Sequence, residues 1–301
     1  MGVVVAVVVA AGLDATVGEP PERIHPVALL GRLIELVADE EWHSPRIIGA
    51  GVAIVAPVIS AMAAYAVVAV AGFIGVVAAG IVAGVVLFVT TSLRMLLDAA
   101  TSIVEGSEAD TAGARETLPT LVGRDPAALS PGEIRSAAVE SAAENLADGL
   151  VGPLLFFSVG AVVSLPLAAA GAAAVKAINT LDSTIGYPGD FGWASARFDD
   201  IVMYVPARMT AVLIGLAAGE PDAPLRARRY ARVPSSPNAG WPMGTLAAAL
   251  NVCLRKPGAY TLNEVADLPD MEQARDGVRI VRRAGIGAYA VAALLGVLLW
   301  L

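Results

Sequence analysis

The fold is decided by residues 47–93, which read IIGAGVAIVAPVISAMAAYAVVAVAGFIGVVAAGIVAGVVLFVTTSL. This stretch contains no charged side chain. As one helix it would be roughly 70 Å long, about twice the hydrocarbon core of a bilayer. The stretch therefore predicts two membrane helices joined by a turn, which we expect near Gly72 to Gly75.

The whole chain shares this apolar character. Of its 301 residues 56% are hydrophobic and 16% are charged, whereas a soluble domain carries about 25% charged residues. The net charge of −8 argues against a nucleic-acid partner, which requires a basic surface. A single cysteine, Cys253, excludes a disulfide framework. The composition predicts one integral membrane domain over residues 1–301, an all-α polytopic helical bundle.

Apolar runs set the predicted topology of five or six membrane segments. They lie at about residues 1–13, 47–69, 72–93, 149–175, 201–219 and 284–301. The loops 14–46, 94–148 and 220–283 hold most of the 20 Lys and Arg residues, so the positive-inside rule makes them cytoplasmic. Pro166 interrupts the segment 149–175, which leaves open whether this segment crosses the membrane or re-enters.

Three acidic residues precede the segment 149–175. Glu140, Glu144 and Asp148 follow the spacing i, i+4, i+8, which predicts one helix face, and Asn145 lies beside them. Like charges at this spacing destabilise a helix by about 0.2–0.5 kcal/mol per pair. A solvated face is one interpretation. A Mg²⁺ site is the other, because Mg²⁺ binds one or two carboxylates together with substrate phosphates.

A polar stretch follows the same segment. It contains Lys176, Asn179, Thr180, Asp182 and Ser183. Ionisable groups at a membrane boundary are candidates for function, and lysine binds phosphate as a point charge. The structural alternatives are snorkelling of the lysine at a helix end and a helix N-cap for the other residues.

Further charges accompany the segment 201–219. Arg197, Asp199 and Asp200 precede it, and Arg208 lies inside it. Aspartates at a helix start favour the helix dipole, which is the alternative to a functional role. An arginine inside a membrane segment needs a partner, and a carboxylate or phosphate in bidentate geometry is expected.

Two loops complete the candidate sites. The loop 14–31 is stiffened by prolines and contains Glu19 and His25. The loop with Ser236 and Asn238 follows a basic cluster, 226–232, that fits either phosphate or anionic lipid. The chain lacks the standard nucleotide-binding motifs, so a nucleotide would require a different kind of site.

Together these segments resemble one family, the CobD/CbiB family of adenosylcobinamide-phosphate synthases. The resemblance is carried by Asp14-x-x-x-Gly18-Glu19-Pro20-Pro21, His25-Pro26-Val27, Gly123-Arg124-Asp125, Glu140-Ser141-x-x-Glu144-Asn145-x-x-Asp148-Gly149, Lys176-x-x-Asn179-Thr180-Leu181-Asp182-Ser183, Arg197-x-Asp199-Asp200, Pro206-Ala207-Arg208, Ser236-Pro237-Asn238-Ala239-Gly240 and Lys256-Pro257-Gly258-x-Tyr260. The motifs follow one another over nearly the whole chain. Arg232-Val233-Pro234 and Met243 depart from the pattern of many members, and the chain looks like an archaeal type.

The resemblance implies a membrane enzyme of cobalamin biosynthesis. Its reaction would join the carboxylate of adenosylcobyric acid to the amine of aminopropanol or its phosphate, with ATP and Mg²⁺. The implied partners are the corrinoid, the amine and the lipid bilayer, with the active site facing the cytoplasm. The oligomeric state stays open between a homo-oligomer and a complex with other cobalamin-pathway enzymes.

Side-chain chemistry suggests the roles within this reaction, since phosphoryl transfer depends on positioning and charge neutralisation. We assign Mg²⁺ binding to Glu140, Glu144, Asp148, Asp199 and Asp200. We assign catalysis to Lys176, Asp182, Arg197 and Arg208, with Asp182 as a further candidate metal ligand. We assign binding of substrate or nucleotide to Glu19, His25, Asn145, Asn179, Thr180, Ser183, Ser236 and Asn238.

Two other functions fit the residues without the resemblance. One is an intramembrane Mg²⁺-dependent transferase acting on a lipid diphosphate. The other is a transporter for a small molecule or corrinoid, in which buried charges and proline-broken helices line the path.

Overall fold

A computed structural model of the chain describes residues 1–21, 23–38, 42–120, 129–186 and 189–299. In these residues the regular secondary structure is helical apart from one antiparallel two-stranded hairpin. The chain forms two compact units. Unit 1 comprises Met1–Ser92, Asp148–Met203 and Tyr289–Leu301, and unit 2 comprises Leu93–Ala147 and Tyr204–Ala288.

The elements follow one another in this order. The first seven helices are α1 (Gly2–Thr16), α2 (Pro26–Val37), α3 (Pro45–Gly72), α4 (Val76–Thr90), α5 (Leu93–Ala109), α6 (Thr111–Thr117) and α7 (Pro131–Leu146). After α6 comes a 3₁₀ turn, Leu118–Thr120, and after α7 a π-helical turn, Ala147–Val151. The remaining elements are α8 (Gly152–Ala161), α9 (Leu165–Ile185), α10 (Trp193–Val202), α11 (Tyr204–Ala217), α12 (Ala223–Ala227), α13 (Gly240–Leu250), β1 (Leu254–Lys256), β2 (Tyr260–Leu262) and α14 (Met271–Leu298).

The long uncharged stretch forms the predicted helical hairpin. α3 ends at Gly72 and α4 begins at Val76, so the turn lies where it was expected. Gly75 adopts a φ of +149°, a conformation that side chains rarely allow. The prediction of two helices from this stretch is therefore confirmed.

Small residues let α1 and α4 of unit 1 pack at close range. A β-carbon added at Gly80 would lie 2.9 Å from the carbonyl oxygen of Gly2, and one at Gly84 would lie 2.7 Å from that of Ala6. Glycines four residues apart are a common device for close packing of membrane helices. The apolar N-terminal run thus becomes a helix of unit 1.

The predicted segment 149–175 is divided between two helices of unit 1. Gly160 packs against the Leu167 backbone and Gly171 against the Phe156 backbone, so α8 and α9 form an antiparallel pair. Ser164 accepts a hydrogen bond from the Leu167 amide at 3.3 Å and caps α9. The segment is therefore interrupted near Pro166, as expected, and Pro166 lies in the first turn of α9, a position that suits proline.

Three helical stretches of the described residues are long and apolar enough to cross a membrane. They are Pro45–Gly72, Val76–Ala109 and Met271–Leu298, and the pair α10 and α11 would add a fourth as one broken span. The fold is the predicted polytopic helical membrane bundle. Among the same residues α1, with 15 residues, is a shorter apolar helix.

Candidate functional site

Five charged or titratable residues of unit 1 converge at the end of α1. They form what we call the N-terminal cluster: Asp14, Glu19, His25, Asp148 and Lys176. The Lys176 ammonium interacts electrostatically with Glu19, Asp148 and His25, and Asp14 interacts with Glu19. α1, the loop after it, the first residue before α2, the π-helical turn and α9 each supply one member.

Lys176 lies in the interior of α9, which continues to Ile185. Snorkelling at a helix end therefore does not explain this lysine. It is the cation of the N-terminal cluster, and its ammonium interacts electrostatically with the Glu19 and Asp148 carboxylates. An ammonium among carboxylates can hold the phosphate or carboxylate of a ligand as a point charge.

Glu19 is a carboxylate held in a partly desolvated place. Burial raises its pKa, the Lys176 ammonium lowers it, and the Asp14 carboxylate raises it, with a raised pKa as the net result. Asp14 itself is buried. A raised pKa brings a carboxylate closer to the range in which it exchanges protons near neutral pH.

His25 has a fixed hydrogen-bonding arrangement. Its Nδ1 accepts a hydrogen bond from the Val27 amide at 3.2 Å and caps α2. Burial and the Lys176 ammonium both lower its pKa, which favours the neutral ring. Since Nδ1 is the acceptor, the proton of the neutral ring sits on Nε2. That buried nitrogen has no hydrogen-bond partner among the described residues.

A second group in unit 1 contains three predicted site residues. Asp182 of α9 and Asp200 of α10 lie within electrostatic range of each other. The Arg197 guanidinium pairs with the Asp200 carboxylate at 3.4 Å. Asp199 and Asp200 stand near the end of α10 and not at its start, so the helix dipole does not explain them.

The hydroxyl groups of the polar stretch bond to their own helix. Thr180 donates to the Lys176 carbonyl at 2.8 Å, and Ser183 donates to the Thr180 carbonyl at 3.0 Å. Together with Asn179 and Asp182 they occupy the second half of α9, which excludes the N-cap interpretation. Their hydroxyl oxygens keep acceptor capacity, whereas their donors are engaged.

In unit 2, Arg208 organises the loop that contains Ser236 and Asn238. Its guanidinium donates to Asn238 Oδ1 at 2.6 Å and to the Pro237 carbonyl at 3.0 Å. It also stacks on the Tyr204 ring, 3.7 Å from the centroid. Ser236 Oγ in turn accepts from the Asn238 amide at 3.2 Å. The predicted partner of Arg208, a carboxylate or phosphate, is replaced here by an amide side chain and a backbone carbonyl.

Glu140 of unit 2 has a partner on the β-hairpin. Tyr260 donates its hydroxyl to Glu140 Oε1 at 2.8 Å, and the Glu140 side chain is buried. Glu144 and Asn145 lie one turn further along α7 and are partly exposed. α-Helical structure stops at Leu146, and Asp148 falls in the π-helical turn of unit 1. The predicted arrangement on one α-helical face therefore applies to Glu140 and Glu144 but not to Asp148.

No group of three His, Cys, Asp or Glu residues within the described ranges is arranged to hold a metal ion. The predicted Mg²⁺ ligands thus fit an ion only if substrate phosphates supply other ligands, as is usual for Mg²⁺. The Gly123-Arg124-Asp125 motif lies outside the described residues.

Two residues with clear contacts were not among the predicted site residues. Asp14 joins the N-terminal cluster, and its position at the end of an apolar run was the signal in the sequence. Tyr260 binds Glu140 from 120 positions away. Tyr260 belongs to the motif Lys256-Pro257-Gly258-x-Tyr260, but no local spacing predicts its contact with Glu140.

Comparison with known proteins adds independent findings. A family profile described as CobD/Cbib protein matches residues 7–285. A probable cobalamin biosynthesis protein CobD of Methanothrix thermoacetophila is 33% identical over 95% of each chain. The cobalamin biosynthesis protein CobD of Rhodobacter capsulatus is 38% identical over 97% of this chain and 96% of its own. A probable CobD of Methanothermobacter thermautotrophicus is 34% identical over 89% of each chain. No solved structure matches the chain.

Proposed function

The chain belongs to the CobD/CbiB family of cobalamin biosynthesis proteins, and from this premise we propose that it is an ATP-dependent ligase. It joins adenosylcobyric acid to aminopropanol or aminopropanol phosphate. The observation that carries this proposal is the N-terminal cluster, in which Lys176 interacts electrostatically with Glu19, Asp148 and the His25 ring, and Asp14 interacts with Glu19.

The reaction has two steps whose demands match these side chains. A corrinoid carboxylate oxygen attacks the γ-phosphorus of ATP, which forms an acyl phosphate and ADP. The amine nitrogen then attacks the acyl carbon, which forms the amide, releases phosphate and loses one proton. Both steps develop charge on oxygen, and fixed donors are most effective at such places.

Each residue of the cluster has a proposed task. Lys176 neutralises the phosphate or acyl phosphate, and His25 donates its Nε2 proton to an oxygen of the same group. Glu19, with its raised pKa, accepts the proton that the amine loses. Asp14 supports this role because its negative charge disfavours a second charge on Glu19.

The remaining predicted residues have supporting tasks in this proposal. Arg208 positions the loop that contains Ser236 and Asn238 for contact with the corrinoid or the amine phosphate. Mg²⁺, bound through ATP phosphates, would neutralise their charge. The candidate ligands are two separate groups, Asp148, Asp199 and Asp200 in unit 1 and Glu140 and Glu144 in unit 2. We place the active site on the cytoplasmic side, where ATP is available.

The test uses purified protein in detergent with ATP, Mg²⁺ and adenosylcobyric acid, offered either aminopropanol or its phosphate. We expect amide product and stoichiometric ADP with one of the two amines. Lys176→Met should abolish product formation, whereas Arg282→Met, which removes an exposed cation outside the cluster, should not. Absence of product together with corrinoid flux into vesicles would favour a transporter. Turnover of a lipid diphosphate instead would favour the transferase.

A further inference from the structure

An apolar groove in unit 1 shares only Lys176 with the residues of the proposed reaction. It has a volume of about 440 Å³ and lies between α2, α3, α4 and α9. We call it the α2 groove. Its walls include Leu29, Leu33, Ile59, Ala63, Val67 and Val86. Ser60, Thr90 and Lys176 are the polar residues of its lining.

α2 presents three different sides. Ile34 is 2% exposed and anchors the helix to unit 1. Leu29, Leu33 and Leu36 follow the spacing i, i+4, i+7 and are 42%, 61% and 82% exposed. Glu35 is exposed on another side of the helix. A row of exposed leucines next to a groove is costly in water and marks a surface that something covers.

The groove walls include residues of helices that are long and apolar enough to span a membrane. Ile59 and Val67 belong to α3, one of the helices long and apolar enough to span a membrane, and both are largely exposed. Val86 belongs to α4, which lies within another such stretch. The groove walls are therefore part of the exposed apolar surface of α3 and α4.

We propose that the α2 groove holds an acyl chain of a bilayer phospholipid. Its lining offers a flexible apolar chain a long contact surface and few groups that require hydrogen bonds. A substrate rich in amides, such as a corrinoid, would instead lose hydrogen bonds to water without replacement there. The lipid also covers the leucines of α2 and so holds the helix whose cap is His25 against α3 and α9.

The experiment measures which side of α2 contacts lipid. In a Cys253→Ser background, Leu33→Cys and Glu35→Cys each receive a fluorescent thiol label. Both proteins are reconstituted in phosphatidylcholine vesicles with and without lipids that carry a nitroxide quencher on the acyl chain. The proposal expects loss of fluorescence from the label at position 33 and little loss at position 35. Equal loss at both positions, or none at position 33, would overturn it.

Substitutions at two exposed alanines of α3 distinguish lipid bound in the groove from lipid on the rest of the apolar surface. Ala63 lines the groove, whereas Ala66 is exposed outside it. Ala63→Phe fills the groove and should reduce the quenching at position 33, and Ala66→Phe should leave it unchanged. If both or neither reduce the quenching, the chain does not lie in the groove. If adenosylcobyric acid restores the fluorescence at position 33, the groove belongs to the substrate and the proposal fails. None of these readouts requires catalytic activity.

Discussion

Replacing Gly84 by alanine is expected to force α1 and α4 apart. The added β-carbon would lie 2.7 Å from both the Ala6 carbonyl oxygen and the Val9 β-carbon. Ordinary contacts of a β-carbon begin near 3.4 Å. The helices must therefore separate by several tenths of an ångström along their backbones, which no side-chain rotation can relieve.

The matched control is Gly12→Ala in α1, where an added β-carbon meets no atom within 4 Å. Both changes gain roughly 1 kcal/mol in helix propensity, so the difference between them isolates the steric conflict. Overpacking of this kind costs about 1–3 kcal/mol. We expect Gly84→Ala to unfold at a temperature several degrees below Gly12→Ala.

Heating of the detergent-solubilised proteins, followed by size-exclusion chromatography, measures the difference. α1 ends at Thr16 and carries Asp14, so the displaced helix should also lower the rate of amide formation. Equal melting temperatures and equal activities of the two variants would refute the close packing of α1 on Gly84.

Three further changes test the sites. Tyr260→Phe removes the hydrogen bond to Glu140 and should lower the free energy of unfolding by about 1–3 kcal/mol, measured by thermal unfolding; no change would show that the contact is unimportant. His25→Asn keeps an N-cap acceptor but loses the Nε2 donor, so the protein should stay folded while turnover falls about 10²-fold. The raised pKa of Glu19 stabilises the fold below the usual pKa of 4.5, and this contribution is lost as pH rises through the raised value. The difference in melting temperature between wild type and Glu19→Gln should therefore become smaller as pH rises. A constant or growing difference would contradict the conclusion that burial raises the pKa of Glu19 more than the Lys176 charge lowers it.

Local patterns were sufficient to predict the helical hairpin of α3 and α4. An uncharged stretch longer than one bilayer crossing must turn, and the glycines near residue 75 indicate where. The same reasoning treated 149–175 as one segment with a break of uncertain kind. The chain does break near Pro166, between α8 and α9, and Pro166 lies in the first turn of α9, which Ser164 caps.

The sequence predicted individual site residues but not which of them lie close together in the fold. The sequence indicates that Lys176 and Arg208 need partners, since charges in apolar surroundings are costly. It does not indicate that Lys176 finds Glu19 and Asp148, or that Arg208 finds Asn238. These contacts join distant parts of the chain, and their geometry depends on tertiary packing that no local spacing encodes.

At position 25, the stability of the fold and the proposed reaction favour different residues. Serine, aspartate and asparagine are the favoured N-cap residues, so a search for heat-resistant variants would be drawn to replace the histidine that begins α2. Such variants would gain a better cap and would no longer leave a buried imidazole nitrogen without a hydrogen-bond partner in the described parts of the chain. If the Nε2 proton serves the reaction, these same variants lose turnover, which is the usual cost of stabilising a functional position. Selection for stability alone should therefore replace His25, whereas selection for growth that depends on the pathway should retain it.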